Sequence, residues 1–487
     1  MKSKLTAQQF LEQRLADIPL DIADQIRLQH EKLKDKEKMV LIIERLLDIA
    51  KKHQWQIMRN EGNFYVYIGT HWKKISDDVI ISFICDVAIR MGFKETSVRH
   101  YSFREGLLKQ FQIAGLRVFE IEENNVVKIN FRNGTLHFKS DAELEFKDHD
   151  LEDGLRYVLN FDYLPGEESP MFKDYLNRVL PNPCKQLPLA EFIGYAFSGL
   201  KLEKCLVLYG SGANGKSVFF DIIIALLGVE NVSNFSLQSL TDNNGYTRAN
   251  LSGKLINYSS ELSSKMNTSF FKMLVSGEPI EARQIYGKPF LLRQIPKLIF
   301  NTNELPFDIE QNDGFYRRFL LIHFDQTIPE SERDAELAQK IISSELPGVL
   351  NWVLEGLQRI TVNKQFSPCD DVNRALDQFR EDHDPIRLFL SDIQAMPHHP
   401  ELSKMQLKLL YARYVDYCKE YGYRSCSLQA FSKRIQAIGY TVKRASHGRD
   451  VGIYVPTVLS TKSYMSMPRL MASECHDAGD ADKIYNN

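Results

Sequence analysis

Apolar residues recur at two spacings along this chain, and each change of spacing marks a change of element. Up to residue 53 the stripe Ile42-Ile43, Leu46-Leu47 and Ala50 repeats as on one face of a helix. Phe64-Tyr65-Val66-Tyr67-Ile68 then reads as a strand, preceded by the turn-prone Arg59-Asn60-Glu61-Gly62-Asn63, so a small hairpin is expected between Trp55 and Ile75. Residues 78–115 return to helix. Val126 to Phe138 is a second β segment, with Asn133-Gly134 as its hairpin turn. Helices over 170–200 lead to the apolar strand Lys204–Tyr209. From Cys205 to Phe324 strands alternate with helices, which predicts an α/β core with a parallel sheet. Residues 335–395 are helical again, and Pro397-His398-His399-Pro400 reads as a linker. A compact segment over 401–455 follows, and the tail from Pro456 has no periodicity and reads as disordered.

Composition narrows this picture little. With 487 residues, two to four domains are expected, and 44% hydrophobic with 25% charged residues is ordinary for a soluble globular chain. No apolar stretch follows Met1-Lys2-Ser3-Lys4 as in a leader, and Ile222–Leu227 is too short to cross a bilayer, so a cytoplasmic protein without a membrane partner is expected. The seven cysteines form no CxxC pair, which argues against zinc, and their scatter suits a reducing compartment better than a disulfide framework. Net charge is −2, so any basic surface has to be local.

One stretch carries unambiguous chemistry. Gly210-Ser211-Gly212-Ala213-Asn214-Gly215-Lys216-Ser217 lies between an apolar strand and a helical pattern that ends at Gly228. Glycines there let backbone N–H groups curl around phosphate, and the helix N-terminus adds positive potential. Lys216 reaches the β- and γ-phosphates and Ser217 ligates Mg²⁺, so ATP and Mg²⁺ are the expected cofactors.

Hydrolysis needs three further groups: an acid near metal or water, a polar sensor of the γ-phosphate, and a positive charge for the transition state. Lys254–Glu261 reads as a strand ending in the carboxylate of Glu261, the candidate acid and metal ligand. Pro296–Asn303 reads as another, ending in asparagines; Asn303 is the preferred sensor and Asn301 the alternative. Arg317 and Arg318 precede the strand Phe319–Phe324 and offer the cation, presented to a neighbouring subunit.

In this order the four motifs resemble a superfamily 3 helicase, and more narrowly the helicase half of phage and plasmid primases and the poxvirus primase-helicase. The resemblance spans about residues 80–455, includes Ile129–Phe138 and the helices of 170–200, and is sharpest over 205–324. It implies a hexameric AAA+ ring that tracks along single-stranded DNA. Lys216 and Ser217 would bind triphosphate and Mg²⁺, Glu261 would serve hydrolysis, Asn303 would be the sensor, and Arg317 or Arg318 the finger in trans. Many members carry two adjacent acids in the second motif, whereas here Ser260 stands in the first position. Members also carry a hairpin that points into the ring pore. Ile280–Leu291 fits it, turning at Gly287 and offering Arg283, Lys288 and Tyr286 to phosphates and bases, with Lys272 as an added pore cation.

The C-terminal segment has its own signal. Helical patterns at 408–419 and 427–435 are followed by a strand, a basic loop and a strand over 440–455, a winged-helix arrangement. Ten Lys or Arg against four Asp or Glu make residues 401–455 +6, a DNA-binding footprint centred on Lys433, Arg434, Lys443, Arg444 and Arg449. The expected organisation is an accessory region (1–80), a helicase-associated domain (81–195), the AAA+ domain (196–345), a helical connector (346–400), the winged helix (401–456) and a tail (457–487). The expected function is an ATP-dependent DNA helicase of a phage, plasmid or other mobile element, acting on single-stranded and replication-origin DNA as a homohexamer. The first 80 residues are too few for a polymerase and show no DxD motif, so primer synthesis is expected from a separate primase or replication partner. The competing readings are a DNA-binding P-loop ATPase that does not unwind, such as an origin loader or a defence protein, and a small-molecule kinase. The kinase reading leaves Arg317-Arg318 and the basic C-terminus unexplained.

Overall fold

The computed structural model describes residues 6–20, 33–60, 62–117, 126–139, 144–260, 262, 265–303, 305, 313–382, 384–397, 403–423, 425–446 and 448–455. Glu261 and the tail from residue 456 lie outside the described residues. The chain divides into two units, Met1–Arg380 and Glu381–Asn487. Among the described residues no helix is long and apolar enough to cross a membrane.

In the first unit, after helices Ala7–Arg14 and Asp35–Lys52, comes an antiparallel sheet of strands β1 (Gln56–Asn60), β2 (Asn63–Tyr67) and β3 (Trp72–Ile75). One apolar core joins that sheet to the helices Asp35–Lys52, Asp77–Arg90 and Tyr101–Ala114, from Leu11 to Phe111. The boundary drawn at 80/81 therefore runs through packed core, inside a helix. A second antiparallel sheet holds β4 (Val127–Phe131), β5 (Gly134–Phe138) and β6 (Leu144–Lys147). Its β4–β5 turn has Phe131 level with Gly134, one residue earlier than Asn133-Gly134 predicts. A Cβ on Gly134 would stand 2.5 Å from the Lys147 carbonyl oxygen, so the crossing of β6 demands glycine here.

The central sheet is parallel. It contains β7 (Cys205–Tyr209), β8 (Val232–Ser233), β9 (Ile256–Ser259), β12 (Lys297–Thr302) and β13 (Phe319–His323), in the order β13-β7-β12-β9-β8. Side chains alternate between two cores. Leu206, Leu208, Ile299, Leu320 and Ile322 face one, and Cys205, Val207, Leu298, Phe300 and Leu321 the other. Burial on both faces explains why these strands read as unbroken apolar runs rather than alternating ones. A separate hairpin, β10 (Ile280–Arg283) and β11 (Pro289–Leu292), is inserted between β9 and β12.

The segment 346–400 does not act as one connector. Helix Leu346–Asn363 lies directly on helix Pro183–Tyr195. A Cβ on Gly356 would meet the Ala190 backbone at 2.4 Å, and one on Gly194 the Leu357 backbone at 2.7 Å, so glycine allows this close approach. Glu191, fully buried, accepts from Arg359 Nε across it (3.0 Å) and from Ser367. Cys184 and Cys369 are disulfide-bonded with Cα atoms 5.5 Å apart, which corrects the expectation of a chain without disulfides. Cys85, Cys205, Cys418 and Cys426 are free thiols.

The second unit packs helices Pro385–Asp392, Leu407–Tyr421 and Leu428–Ala437 around Phe389, Leu410, Tyr414 and Phe431. They lie against a three-stranded antiparallel sheet, β14 (Ser403–Gln406), β16 (Gly448–Ile453) and β15 (Thr441–Ala445), in that spatial order.

Candidate nucleotide site and nucleic-acid interface

The loop after β7 has the backbone its sequence requires. Gly210, Gly212 and Gly215 have φ of 155°, 101° and 87°, and Ala213 takes 50° without glycine's freedom. A Cβ on Gly210 would lie 2.4 Å from the Phe324 carbonyl oxygen. The loop is fastened from three sides. Tyr175 Oη donates to the Gly215 carbonyl (2.9 Å), Ile328 N–H to that of Ala213 (2.9 Å), and Asn214 Nδ2 to that of Phe324 (3.2 Å). Asn214 Oδ1 also accepts from Lys216 Nζ (3.0 Å), which bonds the Gly210 carbonyl as well (2.8 Å). Lys216 is 7% exposed and its burial lowers its pKa. Asn214 is thus a strut between lysine, loop and β13. Ser217 begins the following helix with an exposed side chain. A glycine-walled loop, a lysine at its centre and a hydroxyl at its rim fit a triphosphate and Mg²⁺.

Strand β12 brings the sensor candidates to this loop. It pairs with β7 on one side, Thr302 level with Tyr209, and with β9 on the other, Phe300 level with Ser259. Asn303 is therefore one residue past the strand end beside Gly210, and it is exposed. Asn301 is engaged elsewhere, its Oδ1 accepting from the buried Tyr258 Oη (3.0 Å).

The arginine pair sits at the other end of the same sheet. Phe319 is level with Cys205, and Cys205 N–H donates to the Arg318 carbonyl (2.8 Å). Five residues of parallel strand separate this end from the P-loop, roughly 15–20 Å, beyond an arginine's reach. The two arginines differ. Arg318 is 8% exposed, donates to the Gly314 carbonyl and to Ser276 Oγ (3.1 Å), and lies 3.5 Å from Glu203. Arg317 has a side chain 61% exposed and pairs with Glu203 at 2.8 Å. The Arg318 guanidinium is thus engaged inside the fold, whereas that of Arg317 faces solvent.

The β10–β11 hairpin projects a five-residue turn, Gln284–Lys288. Tyr286 at its tip is fully exposed with φ of 60°, and Ile285 and Lys288 are also exposed. Arg283 Nε donates to the Gly287 carbonyl (3.0 Å) and so braces the turn. Arg248, 2% exposed, holds the hairpin base: it donates to the carbonyls of Glu281 (2.8 Å), Leu240 (3.0 Å) and Asp242 (2.6 Å). Lys272 is carried by the neighbouring helix Thr268–Ser276, not by the hairpin.

In the second unit Lys433, Lys443, Arg444 and Arg449 line one groove between helix Leu428–Ala437 and the β15–β16 hairpin. Arg434 is not among them. It pairs with Asp384, the N-cap of helix Pro385–Asp392, at 2.8 Å.

Two family profiles match separate parts of the chain. Residues 43–181 match a family described as D5 N terminal like, and residues 208–318 a family of unknown function, DUF5906. The chain is 26% identical over 246 residues to a putative helicase of Acanthamoeba polyphaga mimivirus, covering 48% of this chain and 25% of that protein. It is 22% identical over 298 residues to a putative primase of African swine fever virus, covering 54% and 31%. These matches fit a primase-helicase family. The chain spans about a quarter to a third of the length of these curated relatives. An apo structure of the NrS-1 C terminal region aligns with a TM-score of 0.45 and 14% identity over 84% of this chain and 98% of that one.

The structure thus brings together Gly210–Ser217 and Asn303, groups Arg283, Tyr286 and Lys288 on one hairpin, and gathers four basic residues in the C-terminal groove. It separates Arg317 from the P-loop of its own chain. Sequence reasoning missed Arg248 and Glu203, because a buried arginine bonded to carbonyls and an acid facing an arginine leave no spacing pattern.

Proposed function

We propose that this chain is the motor of an ATP-dependent replicative DNA helicase of a virus, phage or plasmid, working in the cytoplasm as a homohexameric ring of AAA+ type on single-stranded DNA. The observation that carries it is the division of the sheet. The triphosphate loop and Asn303 stand at the carboxyl ends of the strands, and an exposed arginine stands at the amino end, where only a neighbouring subunit could use it. The strand order β13-β7-β12-β9-β8, with β12 between the P-loop strand and the strand leading to Glu261, supports the same reading.

In this reading Lys216 exchanges its bonds to Gly210 and Asn214 for phosphate oxygens, so binding costs little reorganisation of the loop. Ser217 and Glu261 would hold Mg²⁺, which would supply neutralisation of phosphate charge. Asn303 orients the attacking water or senses the γ-phosphate. Arg317 leaves Glu203 to contact the neighbour's phosphates. The hairpin tip, with Tyr286 and Lys288, contacts single-stranded DNA in the pore by stacking and charge, and the C-terminal unit is a winged helix on origin duplex.

Electron microscopy with ATP and single-stranded DNA, paired with a strand-displacement assay, tests this. The expected results are six-membered rings and ATP-dependent unwinding that Lys288→Ala with Tyr286→Ala abolishes while ATPase survives. A persistent monomer with full ATPase, or unwinding unchanged in the hairpin variant, contradicts it.

A further inference from the structure

The C-terminal groove has an internal arrangement that net charge does not describe. The exposed face of helix Leu428–Ala437 carries Gln429, Lys433 and Gln436, spaced by four and three residues and hence one above the other. Its opposite face, Phe431 and Ile435, is buried in the core, so the stripe is fixed in orientation. Ser432 Oγ accepts from Gln436 Nε2 (3.3 Å), which holds one amide on this face. Lys408, from the start of helix Leu407–Tyr421, lines this groove together with Arg444 and Arg449, and Arg449 is level with Arg444 across the β15–β16 hairpin. Among the described residues that line the groove there is no Asp or Glu.

Two amides flank a lysine on this exposed helix face, so it offers paired donors and acceptors as well as charge, which a purely electrostatic backbone site does not need. Glutamine presents a donor and an acceptor at the spacing of adenine N6 and N7, and lysine donates to guanine O6 and N7. The guanidinium and ammonium groups of Lys408, Lys443, Arg444 and Arg449 beside the stripe suit the phosphates that border a major groove, which admits one helix.

We propose that helix Leu428–Ala437 reads duplex DNA sequence through Gln429, Lys433 and Gln436, with purine steps as the preferred contacts, while Lys408, Lys443, Arg444 and Arg449 bind the flanking phosphates. This rests on the DNA-binding reading of the unit and adds that the binding is sequence-specific.

The test uses the full chain without nucleotide. A pool of blunt duplexes with a randomised centre is selected for binding, and affinities of the enriched and scrambled duplexes, and of the corresponding single strands, are measured by anisotropy across a salt series. The expected result is an enriched adenine- and guanine-containing motif bound at least roughly tenfold more tightly than scrambled duplex. Gln429→Ala with Gln436→Ala should remove that preference while keeping affinity for scrambled duplex and its salt slope. Lys443→Ala, Arg444→Ala and Arg449→Ala together should weaken all duplexes alike and reduce the slope of log K against log salt by about 2–3. Circular dichroism melts confirm that each variant folds. If no motif is enriched yet the triple variant still weakens duplex binding, sequence reading fails and DNA binding stands. If duplex affinity ignores the triple variant, or single strands bind more tightly than any duplex, the duplex reading itself fails.

Discussion

The two ends of the central sheet hold their cations in opposite ways. At the carboxyl end Lys216 is buried and bonded to the very loop it serves. At the amino end Arg317 is largely exposed and held by one surface ion pair, to Glu203. Surface pairs of this kind contribute about 0–1 kcal/mol, so Arg317 is available at small cost, whereas Lys216 is positioned before anything binds. A group that acts on its own loop can be built in, while one that acts across an interface must be left outside. Arg318, one residue on, shows the contrast at closest range, since its guanidinium is committed inside the fold.

The largest expected effect breaks the comparison directly. Lys216→Ala and Arg317→Ala should each lower DNA-stimulated ATPase by roughly 10³-fold. The thermal midpoint of Arg317→Ala should stay near wild type, and a large drop would show that Arg317 is structural. Arg318→Ala should do the reverse. It leaves Ser276 and the Gly314 carbonyl without their partner and should cost about 2–3 kcal/mol in a urea melt. Asn303→Ala should lower kcat by roughly 10–100-fold at unchanged stability. Asn301→Ala, which strands the buried Tyr258 hydroxyl, should instead destabilise by about 1–2 kcal/mol with kcat nearly preserved.

A further effect touches neither end and serves as their control. Burial, with Lys73 and His149 nearby, lowers the pKa of His71 from 6.5 to about 4. The neutral ring is the folded form, so between these values the unfolded chain binds more protons. Stability should fall as pH drops from about 6.5 to 4, and His71→Phe should flatten that part of the profile in pH-dependent melts.

The sequence made the carboxyl end of the sheet legible because phosphate chemistry dictates both residue type and backbone there. Gly210, Gly215 and Lys216 can be read without knowing what surrounds them. Asn214 was legible only as a member of the loop, and its role as a strut to Phe324 needed the fold. The amino end was legible only as an arginine doublet. Telling the exposed Arg317 from the buried Arg318 depended on Ser276 and Glu203, which lie 42 and 114 residues from the arginines they meet. The ion pair of Arg434 was hidden for the same reason, since its partner Asp384 caps a distant helix. The long helical run after residue 345 gave no hint of its close seat on Pro183–Tyr195, because Gly194 and Gly356 carry no periodic signal.

Complementation of two inactive proteins tests the central claim most directly. In a ring with head-to-tail interfaces, a subunit with Arg317→Ala keeps a working P-loop, and one with Lys216→Ala keeps a working arginine. When the two are mixed and allowed to exchange, about a quarter of the interfaces should pair an intact P-loop with an intact arginine, and ATPase should return to that order. Mixtures that stay as inactive as their components, although mass spectrometry shows mixed rings, would contradict an arginine acting across the interface.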